Sequence, residues 1–279
     1  TAHSNDVLLD QELFQRIAQV FEQRAQLSLS PEQTTLLEKT YKSFVRNGAQ
    51  LGESDAATLR KLDQELAQLS LQFGEHVLAE TNKFVHFVDK VSELEGLPQR
   101  ALEAAAQLAA EKGHEGQWAF TLDYPSYIPV MTYSKSRDLR KTLFMAFNTK
   151  CAKGDALDNQ EIVRQLVTLK QQRAKLLGYE SHAHFTLEER MAKSPETVFE
   201  FLNSLLEKAK PKAALDVQEV AALAKKLDQL EVLEKWDFAY YSELLKRKVC
   251  TGRRGTTSLL QLGKCNFRCV CHCFSLVWA

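Results

Sequence analysis

The stretch LRKLDQELAQLSLQFGEHV, residues 59–77, places most of its large apolar side chains at steps of three or four residues. This spacing lines one face of an α-helix and is typical of a helix that packs lengthwise against a neighbour. Core packing alone explains such a stripe, so it indicates neither a membrane nor a cofactor. The stripe therefore predicts a long helix in a helical core, and its members are Leu59, Leu62, Leu66, Leu69, Phe73 and Val77.

Helix signals recur along the chain. SPEQ at 30–33 combines a Ser N-cap, a Pro at the first helical position and a Gln that completes a capping box, and SPET at 194–197 repeats the Ser-Pro pair. Two stretches break the helical pattern, because residues 84–89 and 117–134 are rich in aromatic and β-branched side chains and favour strands or an extended crossing. A last helix is predicted to begin at Asp237. The predicted fold class is mainly α, with one or two short extended segments.

The overall composition limits the classes of partner. Charged residues make up 26% and hydrophobic residues 44%, which is typical of a soluble globular protein. The formal net charge is zero, which gives no electrostatic reason to expect nucleic acid or an anionic membrane. No apolar run approaches the roughly 20 residues that span a bilayer. We therefore expect a monomer that binds neither nucleic acid nor membrane.

Composition changes sharply near residue 250. Residues 250–279 hold four basic residues and no acid, so the 249 residues before them carry 32 basic and 36 acidic residues, a net charge of −4. Five of the six cysteines also lie in 250–279. The presence of a single cysteine, Cys151, before residue 250 predicts a reducing compartment, which we take as the cytoplasm. Its thiol is expected to be buried or idle. An organelle stays open, because the chain begins at Thr1 without Met and is expected to be trimmed or partial.

Two histidine motifs are candidate metal ligands. His114 and Glu115 begin HEGQW, but Trp118 stands where a zincin needs its second His one turn later. His182 and His184 share a face only in a strand, whereas the sequence around them favours a helix. We expect no metal at either motif. No hydrolase elbow, phosphate loop or dinucleotide fingerprint occurs either. No catalytic, cofactor-binding or metal-binding residue is therefore assigned to this chain.

Several blocks resemble one known family. LDNQEIVRQLVTLKQQRAKLLGYESHAHFTLEERMAKSPETVFEFL, residues 157–202, is similar to a block of the thimet-oligopeptidase-like zinc metallopeptidases, the group of oligopeptidase A and the peptidyl-dipeptidases. Residues 59–84 resemble early helices of that group. KWDFAYYSELLKRK, residues 235–248, resembles its WDxxYY segment. The resemblance covers roughly residues 55–248, and the WDxxYY positions are Trp236, Asp237, Tyr240 and Tyr241.

The resemblance implies a helical lobe of a two-lobed, zincin-type oligopeptidase that hydrolyses short peptides. Family members bind Zn²⁺ with His-Glu-x-x-His and a later Glu, all C-terminal to the WDxxYY segment. This sequence has no His-Glu-x-x-His, so no catalytic residue is carried over. Residues 1–249 are thus expected to be the N-terminal part of such an enzyme and inactive alone. The alternative is a non-catalytic helical protein that binds peptides or acts as a scaffold.

The final 30 residues, 250–279, do not continue the family pattern. Their Cys-rich cluster lacks the paired Cys-x-x-Cys spacing that lets two thiolates meet one tetrahedral ion. Moving the reading frame by one base permits a continuation that regains acidic residues, loses every Cys and resembles the family. Residues 250–279 are therefore predicted to be an out-of-frame tail that does not pack on the helical body. Adventitious metal binding is the alternative, and its ligands would be Cys265, Cys269, Cys271, His272 and Cys273.

Overall fold

The computed structural model describes residues 2–251, and these are mostly helical. Helix makes up 71% of the described residues, and the sheet found among them has two strands, so the mainly-α prediction is confirmed. No helix within residues 2–251 has the length and apolar character needed to cross a bilayer. The predicted out-of-frame tail, apart from its first two positions, lies outside the described residues.

The helices are α1 (Ala2–Leu8), α2 (Gln11–Glu22), α3 (Pro31–Arg46), α4 (Glu53–Lys83), α5 (Gln99–Glu111), α6 (Tyr124–Tyr133), α7 (Arg137–Asn148), α8 (Gln160–Leu176), α9 (His182–Leu187), α10 (Pro195–Asp228) and α11 (Lys235–Thr251). The strands are β1 (His86–Val88) and β2 (Trp118–Phe120), and a short 3-10 helix spans Val91–Leu94. The chain divides into two compact units. Among the described residues, the first comprises 2–76 and 159–201, and the second comprises 77–158 and 202–251.

In the first unit, α3 begins as its capping signal predicts. The Ser30 hydroxyl accepts the Gln33 backbone N–H, and the Gln33 side chain accepts the Ser30 N–H, so two helix-start donors are satisfied reciprocally. Helix α3 packs on α2 through stacked aromatic rings. Phe14 lies 5.8 Å from Tyr41 and 6.2 Å from Phe44, measured between ring centroids. These rings form the local core.

Buried polar pairs connect other helices of the first unit. Arg46 of α3 donates to the Phe185 carbonyl at 2.7 Å, lies over the Phe185 ring and pairs with Glu188. Arg173 of α8 pairs with Asp63 of α4 at 2.7 Å, and both side chains are largely buried. Because charge-assisted hydrogen bonds are stronger than neutral ones, these pairs help to fix α9 and α8 within the unit.

In the second unit, helices pack around the small sheet. The strands pair antiparallel, with His86 opposite Phe120 and Val88 opposite Trp118. Helix α5 packs on β2, and α6, α7 and α11 pack on one another. The core includes Val130 and Leu143, both fully buried. This arrangement brings the α6–α7 connection next to the start of α11.

The prediction for residues 117–134 was largely wrong, because only Trp118–Phe120 form a strand and α6 occupies most of the rest. Pro125 lies in the first turn of α6, where its missing N–H would have no helical partner. Pro129 lies inside the helix and does cost a backbone hydrogen bond. Burial of Tyr127, Val130 and Met131 compensates for this loss. Tertiary packing therefore overrides the local propensity.

Candidate functional site

The WDxxYY segment lies at the beginning of α11, and its Asp is buried. Helix α11 begins at Lys235, two residues before the predicted start at Asp237. Asp237 is the third helical residue, and its carboxylate accepts the backbone N–H of Glu234 at 3.2 Å. The carboxylate thus caps the helix from inside its first turn rather than from the preceding position. The predicted start was wrong for this reason.

Two arginines of α7 converge on this carboxylate. Arg137 donates from Nε and Nη2 to the Asp237 oxygens at distances of 2.8 to 3.1 Å. Arg140 donates from Nη2 to Oδ1 at 2.9 Å. Asp237 is 0% exposed and Arg140 only 1%, whereas the Arg137 side chain is 41% exposed. A buried carboxylate is therefore held by one buried and one half-exposed guanidinium, which is the paired arrangement that buried charge requires.

The remaining Arg140 donors connect α11 to the α6–α7 turn. Nη1 donates to the Ser134 carbonyl at 2.7 Å and to the Lys135 carbonyl at 3.3 Å, and Nε donates to the Trp236 carbonyl at 3.1 Å. The Arg140 guanidinium also lies over the Tyr240 ring, 4.4 Å from its centroid. One side chain thus joins the end of α6, the start of α7 and the first turns of α11.

The electrostatics keep Asp237 ionised. Burial alone would raise the pKa of Asp237, but the hydrogen bonds from Arg137, Arg140 and the Glu234 N–H outweigh it and hold the pKa below its ordinary value. Donors from three residues occupy the carboxylate oxygens. The Asp237 carboxylate therefore has a structural role and is poorly placed to act as a general base toward a substrate.

The tyrosines and the tryptophan of the segment also have structural partners. Tyr241 donates its hydroxyl to Asp228 at 2.5 Å, which ties α11 to the end of α10. Burial, followed by the nearby Asp228 carboxylate, raises the pKa of Tyr241 and of Tyr240. The Trp236 ring packs edge-on against Phe144 at a centroid distance of 6.0 Å. Together with Arg137 and Arg140, Trp236, Asp237, Tyr240 and Tyr241 form what we call the WDxxYY anchor.

The histidine motifs are not brought together. His114 lies in the turn between α5 and β2 and stacks on Phe87 at a centroid distance of 4.0 Å. The His184 Nδ1 lies 2.8 Å from the Ser181 hydroxyl, while the His182 ring packs against Phe185. Within residues 2–251 no group of three or more His, Cys, Asp or Glu side chains is arranged to hold a metal ion. The Cys-rich cluster at 265–273 lies outside the described residues.

Cys151 is buried next to a buried carboxylate. Its backbone N–H and the Lys153 ammonium both donate to Glu80. Burial, then the Glu80 carboxylate, raises the pKa of the Cys151 thiol to about 11. The thiol is therefore protonated at neutral pH and does not act as a nucleophile.

Sequence reasoning identified the WDxxYY segment but not its two arginine partners. Arg137 and Arg140 are three residues apart, so they lie on one face of α7, and this spacing was the available signal. Nothing in the sequence near residue 137 indicates that the partner carboxylate lies 100 residues further along.

Comparison with known proteins gives the class of this chain. Residues 130–253 match Peptidase family M3, and this segment contains the whole WDxxYY anchor. The chain is 31% identical to the dipeptidyl carboxypeptidase of Escherichia coli over 245 residues, which cover 88% of this chain and 36% of that protein. It is 37% identical to the probable cytosolic oligopeptidase A of Arabidopsis thaliana, over 78% of this chain and 32% of that protein. It is 34% identical to the oligopeptidase A of Haemophilus influenzae, over 77% of this chain and 32% of that protein.

Residues 130–253 therefore match peptidase family M3, and the resemblance inferred from the sequence is confirmed. The chain spans about a third of the length of the relatives it matches. Within its described part, the charged and aromatic residues of the WDxxYY anchor hold helices together. The anchor thus has a structural role in this chain.

Proposed function

We propose that this chain is the N-terminal helical portion of a zinc metallo-oligopeptidase that hydrolyses short peptides. The observation that carries the proposal is the family M3 match over residues 130–253, together with the WDxxYY anchor and its buried Asp237–Arg140 pair in the same segment. The named relatives are oligopeptidases and a dipeptidyl carboxypeptidase, which supports short peptides as substrates. On this proposal residues 1–249 are the enzyme's own sequence, and residues 250–279 are out of frame. The expected setting is a cytoplasmic monomer.

The candidate donors within residues 2–251 do not fit a catalytic zinc site. Zinc peptidases need two His on adjacent turns of one helix face, whereas His114 lies in a turn and is followed by Trp118. His182 and His184 have separate partners, and Asp237 is fully engaged by arginines. No catalytic step is therefore assigned to this chain. In the whole enzyme, Zn²⁺ would be bound by residues beyond those of residues 1–249.

The proposal predicts that purified chain 1–279 does not cleave peptides. A quenched fluorescent peptide incubated with the chain and added Zn²⁺ should give the same signal as buffer, with or without a chelator. The E. coli dipeptidyl carboxypeptidase serves as the positive control under the same conditions. Chelator-sensitive turnover by the purified chain would contradict the proposal, because it would require a zinc site that residues 1–249 do not supply.

A further inference from the structure

One stretch of α10 is exposed on every side within the part of the chain that the structure describes. Residues 202–212 are all exposed, although they lie in the middle of a long helix. Three large apolar side chains are among them: Leu202 is 51% exposed, Leu205 47% and Leu206 57%. A helical stretch of about three turns is marginal in water without tertiary contacts. Solvent-exposed leucines on such a stretch therefore indicate a surface that another element covers.

The exposed apolar residues lie on one face. At 100° per residue, Leu202, Leu205, Leu206 and Ala209 fall within an arc of roughly 100°, and we call these four residues the α10 stripe. Glu207 and Asn203 lie on the other side of the helix. The stripe is therefore the face of an amphipathic helix, with the spacing by which helices dock into apolar grooves.

Charge and chain length indicate what covers the stripe. Lys208 and Lys210 are exposed and flank the C-terminal end of the stripe, one on each side. An apolar partner rimmed by carboxylates would complement this surface. The chain also spans only 32% to 36% of its relatives' length, so a family M3 protein has polypeptide available to supply such a partner.

We propose that the α10 stripe is the docking surface for an apolar, acid-rimmed segment from the remaining two thirds of a family M3 polypeptide. This inference rests on the proposed function, because it takes the rest of such a polypeptide as the partner. It goes beyond that function by naming the surface and the chemistry of the segment that binds it.

The test uses full chain 1–279 and a set of overlapping fluorescent peptides. The peptides, each about 25 residues long, cover the part of the E. coli dipeptidyl carboxypeptidase that this chain does not match. Fluorescence polarisation should detect binding by one or a few apolar, acidic peptides, and binding should weaken as salt is raised. Leu206→Glu should weaken it at least about tenfold, because a charge would face the apolar partner.

Leu215→Glu is the matched control. Leu215 is also on α10 and is 58% exposed, but it lies nine residues after Leu206 and so on the opposite face. Both variants should keep the wild-type melting curve, since neither side chain is packed in this chain, and the control should bind like the wild type. Equal loss in both variants, or no peptide binding above a scrambled set, would overturn the inference. A dimer in sedimentation that Leu206→Glu abolishes would also overturn it, because the partner would then be a second copy.

The peptide assay does not measure catalysis, so it separates the two proposals. Peptide binding at the α10 stripe together with an inactive longer gene product would leave the docking surface in place and remove the proposed enzyme. An active longer gene product, together with no peptide binding at the α10 stripe, would support the proposed enzyme and overturn the docking surface.

Discussion

Replacing Asp237 with Asn tests the energetics of the WDxxYY anchor. Asn has the same shape but removes the negative charge between two guanidinium groups. Arg140 would then remain 1% exposed without its counter-charge, while Arg137 at 41% exposure could be hydrated. Breaking a buried ion pair by removing one partner costs about 3–5 kcal/mol. For a chain of this size that corresponds to a fall in melting temperature of roughly 6–20 °C.

Arg137→Gln is the matched perturbation on the exposed side. It removes hydrogen bonds to the same carboxylate but leaves Arg140 in place to neutralise it. We expect a smaller loss of about 1–2 kcal/mol, because hydrogen bonds to a charged group are replaced in part by water.

The effect should also depend on pH. The folded-state pKa of Asp237 is lowered, so its contribution to stability is present above the unfolded-state pKa of about 3.9 and is lost as pH falls through the folded-state value. In circular dichroism melts, the difference in melting temperature between wild type and Asp237→Asn should therefore be constant from about pH 5 to about pH 8. The gap should shrink below about pH 4.

A loss below about 1 kcal/mol for Asp237→Asn would refute this reasoning, because that is the size of an ordinary surface change. An equal loss for Arg137→Gln would refute it as well, since the argument depends on which guanidinium is buried.

Two further predictions concern backbone strain and thiol reactivity. Gly96→Ala should destabilise the protein by more than ~2 kcal/mol in urea titrations, because Gly96 has φ +92° and a Cβ there would lie 2.3 Å from the Tyr133 carbonyl oxygen. Gly113→Ala, at φ +81° with open space, should cost clearly less, and equal costs would contradict the steric argument. Cys151 should react with iodoacetamide at pH 8 far more slowly in the folded chain than in urea, as measured by mass spectrometry of its peptide, because its pKa is about 11 and it is buried. Equal rates in both states would show that the thiol is accessible.

The sequence predicted local helix signals well because those signals are local. Ser30 and Gln33 satisfy each other within one turn, so their capping box can be inferred without tertiary structure. The apolar period of residues 59–77 likewise predicts a helix, and α4 contains it. The failure at residues 117–134 has the opposite origin, since Pro129 is accepted inside α6 only because Tyr127 and Val130 are buried by other elements.

The candidate site was predictable only in part. Family resemblance picked out Asp237, but its bonding partners come from α7, about 100 residues earlier in the chain. No periodicity or spacing near either segment encodes that pairing. The start of α11 was misplaced because the Asp237 carboxylate accepts the Glu234 N–H from inside the first turn, and the sequence pattern does not distinguish this position from an N-cap.

The central claim is that residues 1–249 are the front of a zinc oligopeptidase whose catalytic half is encoded in the neighbouring reading frame. Resequencing the coding DNA around the codons for Lys248 and Val249 tests this most directly. We expect one base fewer at that point and, in the restored frame, a continuous sequence that reaches His-Glu-x-x-His followed by a further zinc-binding Glu. Confirmation of the present frame, with the neighbouring frame closing at a stop codon before any His-Glu-x-x-His, would contradict the claim and favour a non-catalytic helical scaffold.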